Sequence, residues 1–351
     1  MTNDVSIQKR KRDHLRIATS SVSQTGDTGF ANYRFVHNAL PEIDFDDIDT
    51  STTFLGKKVK LPFFISCMTG GVEEGKRLNR NLAAAAQKCG IAMGVGSQRA
   101  AIENRELEEL FMARDKAPDI PLIANVGLVQ LNYGFGRSEY QRIVDMIAAD
   151  ALAIHLNPIQ EVIQPEGDRN WRGLLAKLAK VLPQITVPII AKEVGFGLSV
   201  DVVKRLYGAG VRYFDTAGWG GTSWAVVEGM RGKADRELGS LFGQWGIPTA
   251  ESINICADFQ KLLNTKHRPP ITVLGSGGIR SGIDIAKAIV LGSDMVGIAQ
   301  PFAIAALKSQ HAVEVLIERL AMELKVAMFG LGVKNIKMLK KVALQLVGLP
   351  T

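Results

Sequence analysis

The sequence predicts a closed (β/α)8 barrel, and three observations lead there. Short apolar runs rich in β-branched residues recur along the chain, most of them about 25 to 40 residues apart, the length of one βα unit. Helical patterns lie between them. The runs are apolar throughout rather than alternating, as strands buried on both faces of a parallel sheet require. Eight such units suggest a closed barrel, where five or six would suggest a doubly wound sheet.

Taken in order, residues 1–55 precede the barrel as an N-terminal extension, and residues 56–351 form it. The strand candidates are Leu61–Ser66, Ala92–Val95, Pro121–Asn125, Ala151–His155, Pro188–Glu193, Arg212–Thr216, Ile271–Gly275 and Met295–Ala299. A helix is predicted over Glu73–Lys88, Ala-rich with a lysine near its end. Another is predicted over Glu103–Ala117, where Leu107, Leu110 and Phe111 fall at helical spacing. Ser199 can cap Val200–Tyr207, with Gly208 and Gly210 to stop it. Ser281 precedes Ile283–Leu291, which Gly292 terminates. The interval between the sixth and seventh strands is too long for one helix, so an insertion is expected at about 225–266. Its most polar stretch, Arg231–Arg236, reads as a mobile loop. Residues 301–351 read as terminal helices.

Bulk properties narrow the function classes. A chain of 351 residues that is 46% hydrophobic and 22% charged has enough apolar side chain for one large buried core. No apolar run reaches the roughly 18 residues of a membrane span, and the polar stretch Met1–Ser20 lacks the apolar centre of a secretory signal. A cytoplasmic protein is therefore expected. Cys67, Cys89 and Cys256 are scattered, with neither a disulfide framework nor a zinc spacing, and Cys67 is expected to be buried and inert. The net charge of +7 calls for an anionic partner, either nucleic acid or a phosphorylated metabolite. Lys9–Arg12 is short and without interleaved aromatics, which disfavours nucleic acid.

Active sites of this architecture lie where the strands end. That rule selects Met68-Thr69-Gly70-Gly71, Gly96-Ser97-Gln98-Arg99, Asn125, His155 with Asn157, Gln160 and Glu161, Lys192-Glu193, Thr216 to Thr222, Gly275-Ser276-Gly277-Gly278, and Ala299-Gln300. Ile271 to Asp284 reads as strand, glycine-rich turn and helix start, where backbone N–H groups can approach a phosphate. The alternative is a tight turn that needs glycine for backbone reasons alone. Lys192 is open to three roles besides simple pairing with Glu193: Schiff-base nucleophile, phosphate ligand, or partner of a flavin's electron-rich edge. Asn125 offers hydrogen bonds to a planar ring, or is a turn cap. Glu161 can take a hard divalent cation whose remaining ligands are phosphates and waters, or is a solvated surface charge. Arg10 to His14 reads most plainly as a solvated tail, although a tail of this kind can close over an anion as a lid.

Together these segments resemble type 2 isopentenyl-diphosphate isomerase. The resemblance rests on Arg10-Lys11-x-Asp13-His14, Met68 to Gly71, Met93 to Arg99, His155 to Glu161, Gln164 to Gly167, Lys192-Glu193, Asp215-Thr216 and Gly275 to Arg280, in that order, and covers roughly residues 8 to 340. It implies an FMN-dependent barrel that interconverts isopentenyl and dimethylallyl diphosphate. The flavin must be reduced, with NADPH as reductant, and Mg²⁺ is required. By the family's pattern Met68, Thr69 and Gly70 line the flavin, with Ser97, Asn125 and Lys192 along its ring and ribityl edge. Thr222, Gly277, Gly278, Arg280, Ala299 and Gln300 hold its phosphate end. Arg10, Lys11, Ser97, Gln98, Arg99, His155, Asn157 and Gln160 contact the substrate, with Gln160 and His155 nearest the chemistry, and Glu161 binds the magnesium. Trp219 departs from the pattern, which has a smaller or polar residue there and leaves the contacts of that loop open. The implied partner is a small diphosphate rather than nucleic acid or membrane, and such barrels commonly assemble, here as a tetramer or octamer. The competing enzyme reading is an FMN oxidoreductase of the 2-hydroxy-acid oxidase or dihydroorotate dehydrogenase type, against which no strand-end His-Gly pair occurs near residues 215 to 222.

Overall fold

The apolar runs pair into one ring. In a computed structural model, which describes residues 2–68, 70–231 and 234–347, eight parallel strands close a barrel. They are β1 (Phe63–Ile65), β2 (Ala92–Gly94), β3 (Leu122–Gly127), β4 (Ala151–Leu156), β5 (Ile189–Glu193), β6 (Tyr213–Asp215), β7 (Thr272–Ser276) and β8 (Met295–Ile298). They follow one another around the ring, and β8 returns to β1 through Val296↔Phe63 and Ile298↔Ile65. The expected bounds hold to within one or two residues. β3 overruns its expected end furthest, by two residues, because Val126 and Gly127 continue its ladder against Ile154 and His155 of β4.

Inside the ring, Phe64, Ala92, Ile123, Ala151, Ala153, Ile190, Leu274 and Met295 form a dry core. A hairpin of Thr52–Phe54 and Lys57–Val59 joins it, turning through Leu55 and Gly56 at φ 49° and 76°. Its Phe54 stacks on Phe64 at 5.9 Å, so apolar side chains seal the end where the strands begin. The division between residues 55 and 56 therefore falls within a turn that serves the barrel. Further along, Tyr33–Phe35 pairs antiparallel with Leu344–Leu346 and ties the extension to the last strand.

The outer helices follow the sequence with two exceptions. Glu73–Cys89 ends on Gly90 at φ 70°, and Gly282–Leu291 ends on Gly292, as expected. Val200–Gly208 also forms, although Ser199 makes no side-chain cap bond and Ala209 follows the last turn. The first exception is Glu103–Ala117. A short helix, Arg99–Glu103, is followed by a 3-10 helix, Arg105–Phe111, because Asn104 is extended and its side chain accepts from Glu106 N. Spacing of i, i+3 and i+4 buries Leu107, Leu110 and Phe111 in a 3-10 turn as well as in an α-helix. The second exception is the amino terminus. Thr2–Ala18 is a helix, α1, rather than a solvated tail, and it buries Leu15 and Ile17.

The expected insertion contains Trp224–Gly229, Arg236–Phe242 and Thr249–Thr265, and the chain finishes with Gln300–Lys308, Gln310–Phe329 and Ile336–Leu339. Within the polar stretch 231–236, Gly232 and Lys233 lie outside the described residues. Among the described residues no helix is long and apolar enough to cross a membrane.

Candidate active site

The strand ends open onto a cleft of about 1820 Å³, counting the space continuous with solvent. Met68, Gly70, Ser97, Asn125, Lys192, Thr222, Gly277, Gly278, Arg280, Ala299 and Gln300 line it, together with Arg10, Lys11, Arg99, His155, Asn157, Gln160 and Glu161. Thr69 lies outside the described residues.

At the floor, register decides which side chains meet. His155, Lys192 and Asp215 are successive partners across β4, β5 and β6. Lys192 Nζ stands 3.6 Å from Asp215 Oδ2 and donates to the Glu193 carbonyl at 2.9 Å. The Glu193 carboxylate instead accepts backbone N–H bonds from Val194, Gly195, Phe196 and Gly197, which curls the loop after β5 around it. Asp215 is thus the ion-pair partner of Lys192, not Glu193. Burial, then the charges of Lys192 and Arg99, lowers His155 to about 3, so the ring is neutral. Its Nδ1 pairs with Asn125 Oδ1 at 2.9 Å, and Nδ1 donates in that contact. Asn125 also bonds the Cys67 thiol, which burial chiefly pushes up to about 11. Cys67 is half-buried and lines the cleft, a protonated thiol at neutral pH.

On one side the glycine turn meets the loop after β6. A Cβ on Gly277 would lie 2.3 Å from Gly218 O, and one on Gly278, at φ 67°, would lie 2.1 Å from Gly220 O. Backbone packing therefore demands glycine at both positions. Arg280 donates to Gly278 O at 2.7 Å and to Gln24 Oε1 at 2.5 Å, and Gln24 donates to Thr222 Oγ1 at 2.9 Å. The start of the helix Gly282–Leu291 is already supplied with acceptors. Asp284 takes the Arg280 and Ser281 N–H groups, and Glu323 takes that of Gly282. An anion here would therefore rest on the Gly277–Gly278 backbone, the Arg280 guanidinium and the start of Gln300–Lys308, rather than on that helix end.

The opposite side is charged and roofed. The loop after β4 turns into the short helix Pro158–Ile163, where Asn157 Nδ2 donates to Glu161 Oε1 at 2.9 Å and to Gln160 Oε1 at 3.1 Å. Glu161 Oε2 accepts from Asp168 N at 2.7 Å. Burial raises the Glu161 carboxyl, with the Asp168 charge adding to it, against these hydrogen bonds. Asp168 holds Arg99 and accepts from Gln130 at 2.9 Å, while Glu103 grips the other side of Arg99 at 2.7 Å. Above them, α1 crosses the mouth. Lys11 Nζ donates to Ser97 O at 3.3 Å, and Gln300 Nε2 donates to Ala18 O and Ser20 O at 3.0 and 3.1 Å. His14 Nε2 is 2.8 Å from Glu228 Oε1, with its ring edge-on to Trp224.

Glu228 was not singled out by strand-end reasoning, because it sits within a helix, Trp224–Gly229. Its signal was a lone carboxylate in an otherwise apolar run. The side chain is fully buried and accepts from Gln160 Nε2 at 2.9 Å and from Arg231. Burial opposes its charge, but the hydrogen bond and charge of His14, with Arg231 and Gln160, hold it down to about 2. Asp168 was missed for the same kind of reason, since it is a loop residue beyond the motif.

One site expectation needs correction, and one open position is settled. Gln98 does not line the cleft; it is wholly buried, donates to Ile143 O at 3.0 Å and accepts from Asn125 N at 3.1 Å. Its backbone, at φ −87° and ψ 8°, turns the side chain beneath the loop that carries Ser97 and Arg99. Trp219, which departs from the family's pattern, faces away from the cleft lining, with Nε1 donating to Gly243 O at 2.9 Å and its side chain packed over Gly26 and Gly246. Gln98→Ala strands a buried Asn125 N–H and is expected to cost about 1–3 kcal/mol of unfolding free energy, read by chemical denaturation. A change in substrate KM at unaltered stability would instead restore Gln98 as a direct ligand.

Comparison with known proteins fits this geometry. The family description FMN-dependent dehydrogenase matches residues 16–118 and 252–346. Isopentenyl-diphosphate delta-isomerase of Nostoc sp. is 49% identical over 337 residues, 95% of this chain and 94% of the relative. The protein of the same name from Rickettsia bellii is 46% identical over 345 residues, 97% and 98% of the two chains. Among solved structures, a lactate oxidase of Pediococcus acidilactici superposes with a TM-score of 0.66 at 17% identity, covering 99% of this chain and 95% of that one. A flavocytochrome b2 with sulfite bound gives 0.67 at 17% identity, covering 100% and 95%. At those identities the two solved structures speak for the barrel alone, whereas the curated relatives place the chain itself: it belongs to the type 2, FMN-dependent isopentenyl-diphosphate delta-isomerases.

Proposed function

We propose that the cleft binds FMN and a five-carbon allylic or homoallylic diphosphate together, and that the chain interconverts isopentenyl and dimethylallyl diphosphate. The observation that carries this reading is the convergence of a floor built on the Lys192–Asp215 ion pair, a glycine joint at Gly277–Gly278 and a cationic rim of Arg10, Lys11 and Arg99 on a single mouth. The two substrates are isomers, so the reaction consumes no net oxidant.

FMN fits the residues present. The phosphate end would rest against Gly277, Gly278, Arg280, Ala299 and Gln300, with Thr222 beside them, and the ring would face Met68, Gly70, Ser97, Asn125 and Lys192. When bound and reduced, with NADPH as its hydride source, FMN supplies a proton donor and acceptor beside an electron-rich surface for a developing cation. The chain's own residues do the rest. Arg10, Lys11, Arg99 and neutral His155 bind and orient the diphosphate. Gln160 lies nearest the reacting carbons as a neutral amide, kept in place by Glu228 and Asn157. The α1 helix excludes water from the mouth.

Mg²⁺ fits Glu161 as its one carboxylate. Among the described residues no group of three or more His, Cys, Asp or Glu side chains is arranged for a metal, so phosphate oxygens and waters would complete the shell. Asn157 Oδ1 is buried without a hydrogen-bond partner beside Glu161 and can face the ion or one of its waters.

Lys11 adds a pH dependence. Burial, then the Arg10 charge, lowers its ammonium to about 7 against the pull of Glu103. A bound diphosphate favours the charged form and raises that pKa. Complex formation above about pH 7 is therefore expected to take up a proton, and pyrophosphate affinity to fall by at most about tenfold per pH unit there. Calorimetry in buffers of different ionisation enthalpy counts the proton, and Lys11→Met should remove it.

The test of the function is anaerobic incubation of isopentenyl diphosphate with protein, FMN, NADPH and Mg²⁺, each omitted in turn. Dimethylallyl diphosphate is expected only in the full mixture. Stoichiometric loss of NADPH with an oxidised or reduced carbon product would replace this reading with the oxidoreductase one.

A further inference from the structure

The floor of the cleft carries a charge pair whose purpose the isomerisation itself does not explain. Lys192 and Asp215 are register partners on adjacent strands, with side chains only 10% and 3% exposed. Asp215 Oδ1 accepts from Ser276 Oγ, and Ser276 Oγ accepts from Ala217 N at 3.1 Å, so the carboxylate is held from β7 and from the loop after β6. Lys192 in turn is fixed by its bond to Glu193 O. Taking a lone ammonium out of water at this depth is costly, and a lone carboxylate equally so; the pair is tolerated because each offsets the other. Both charges are felt by groups that line the cleft. Cys67 is raised by Asp215 and lowered by Lys192, and His155 is lowered by Lys192.

We propose that Asp215 is a positioning residue that fixes Lys192 and cancels its charge, and that the net charge of this pair sets the reduction potential of the flavin bound above it. The proposal rests on the reading that the cleft takes FMN. Reduction of oxidised flavin takes up two electrons and at least one proton and leaves the ring richer in electrons. In a titration dithionite gives up the electrons and water supplies the proton. A net positive floor favours the reduced ring and a net negative floor the oxidised one. A role limited to holding the fold would weaken both redox forms alike and leave the potential unmoved.

The experiment is anaerobic redox titration of the FMN-loaded protein and three variants. Asp215→Asn, which keeps an acceptor for Ser276, leaves the floor net positive and is expected to raise the midpoint potential. The equilibrium should shift by about tenfold, or ~30 mV for a two-electron couple. Lys192→Met should lower it by a similar factor. The double variant, neutral like the native pair, should return close to the native value. It also covers the case in which either lone charge prevents folding, because replacing a buried pair by neutral side chains is tolerated better than breaking it. Potentials that do not follow net charge in this order overturn the proposal, as does a double variant far from native.

Flavin-free protein separates this outcome from failure of the FMN reading. Alkylation of Cys67, followed by peptide mass, should speed up in Asp215→Asn and slow in Lys192→Met, because the anion disfavours the thiolate and the cation favours it. Absence of FMN uptake with that ordering intact would remove the flavin while leaving the charge pair. Thiol rates indifferent to both substitutions would remove the pair.

Discussion

Gly278→Ala is expected to abolish flavin binding. The residue sits at φ 67°, where a side chain is strained, and its new Cβ would stand 2.1 Å from Gly220 O and 2.6 Å from Thr28 Cγ2. The strain alone amounts to about 1–3 kcal/mol. The clash is with backbone, so it is relieved only by parting the loop after β7 from the loop after β6. Those two loops, stitched by Arg280 to Gly220 O and Gly278 O, form the corner we propose for the FMN phosphate. Affinity for FMN should fall at least about a hundredfold, equivalent to roughly 3 kcal/mol, as measured by fluorescence titration. Gly134→Ala is the control. Gly134 has φ 87° but open space around its Cβ, so it carries the same kind of strain with no clash. It should lose a little stability and bind FMN normally. Equal FMN affinity in the two variants would contradict the assignment of this corner.

The second large effect is expected at Glu228. Glu228→Gln removes the buried charge that pairs with His14 of α1 and with Arg231, and it weakens the acceptor that fixes Gln160. Turnover should fall by about a hundredfold, the scale of a roughly 1 Å misplacement beside the reacting centre. The same change alters the acid limb of stability. Glu228 is held at about 2 in the fold against an ordinary 4.5. Its contribution is therefore complete above about pH 4.5 and is lost as pH falls towards 2. The native protein should lose stability over that window more steeply than Glu228→Gln, as denaturant midpoints across the range will record. Identical acid limbs would show that Glu228 carries no such charge coupling.

Much of this site was legible because a barrel converts position along the chain into position at the mouth. Asn125, His155 and Lys192 could be placed from strand ends alone, since parallel register brings successive strand ends to one rim. The roof was not legible in that way. His14 meets Glu228 across more than half the chain, and nothing local in Arg10 to His14 distinguishes a docked helix from a solvated one. Gln98 shows a second limit. It follows Ser97 directly, yet one backbone turn at the start of Arg99–Glu103 sends its amide under the loop instead of into the cleft. The segment Glu103–Ala117 shows a third, because burial at i, i+3 and i+4 serves a 3-10 turn and an α-helix equally. The glycine turn was read correctly as a special backbone, but the reason is mutual. Gly277 and Gly278 are small to admit the neighbouring loop, and Asp284 with Glu323 already occupies the helix start that the sequence offered to a phosphate.

What joins these results is the proposal that flavin and diphosphate share one opening beneath α1. Titrating FMN-loaded protein with inorganic pyrophosphate and Mg²⁺, while recording the visible absorbance of the oxidised flavin, addresses this most directly. A saturable change in the flavin band, abolished in Arg99→Ala, is the predicted result. Pyrophosphate that binds by calorimetry yet leaves the band untouched would mean that the two ligands occupy separate places, and the account would be contradicted.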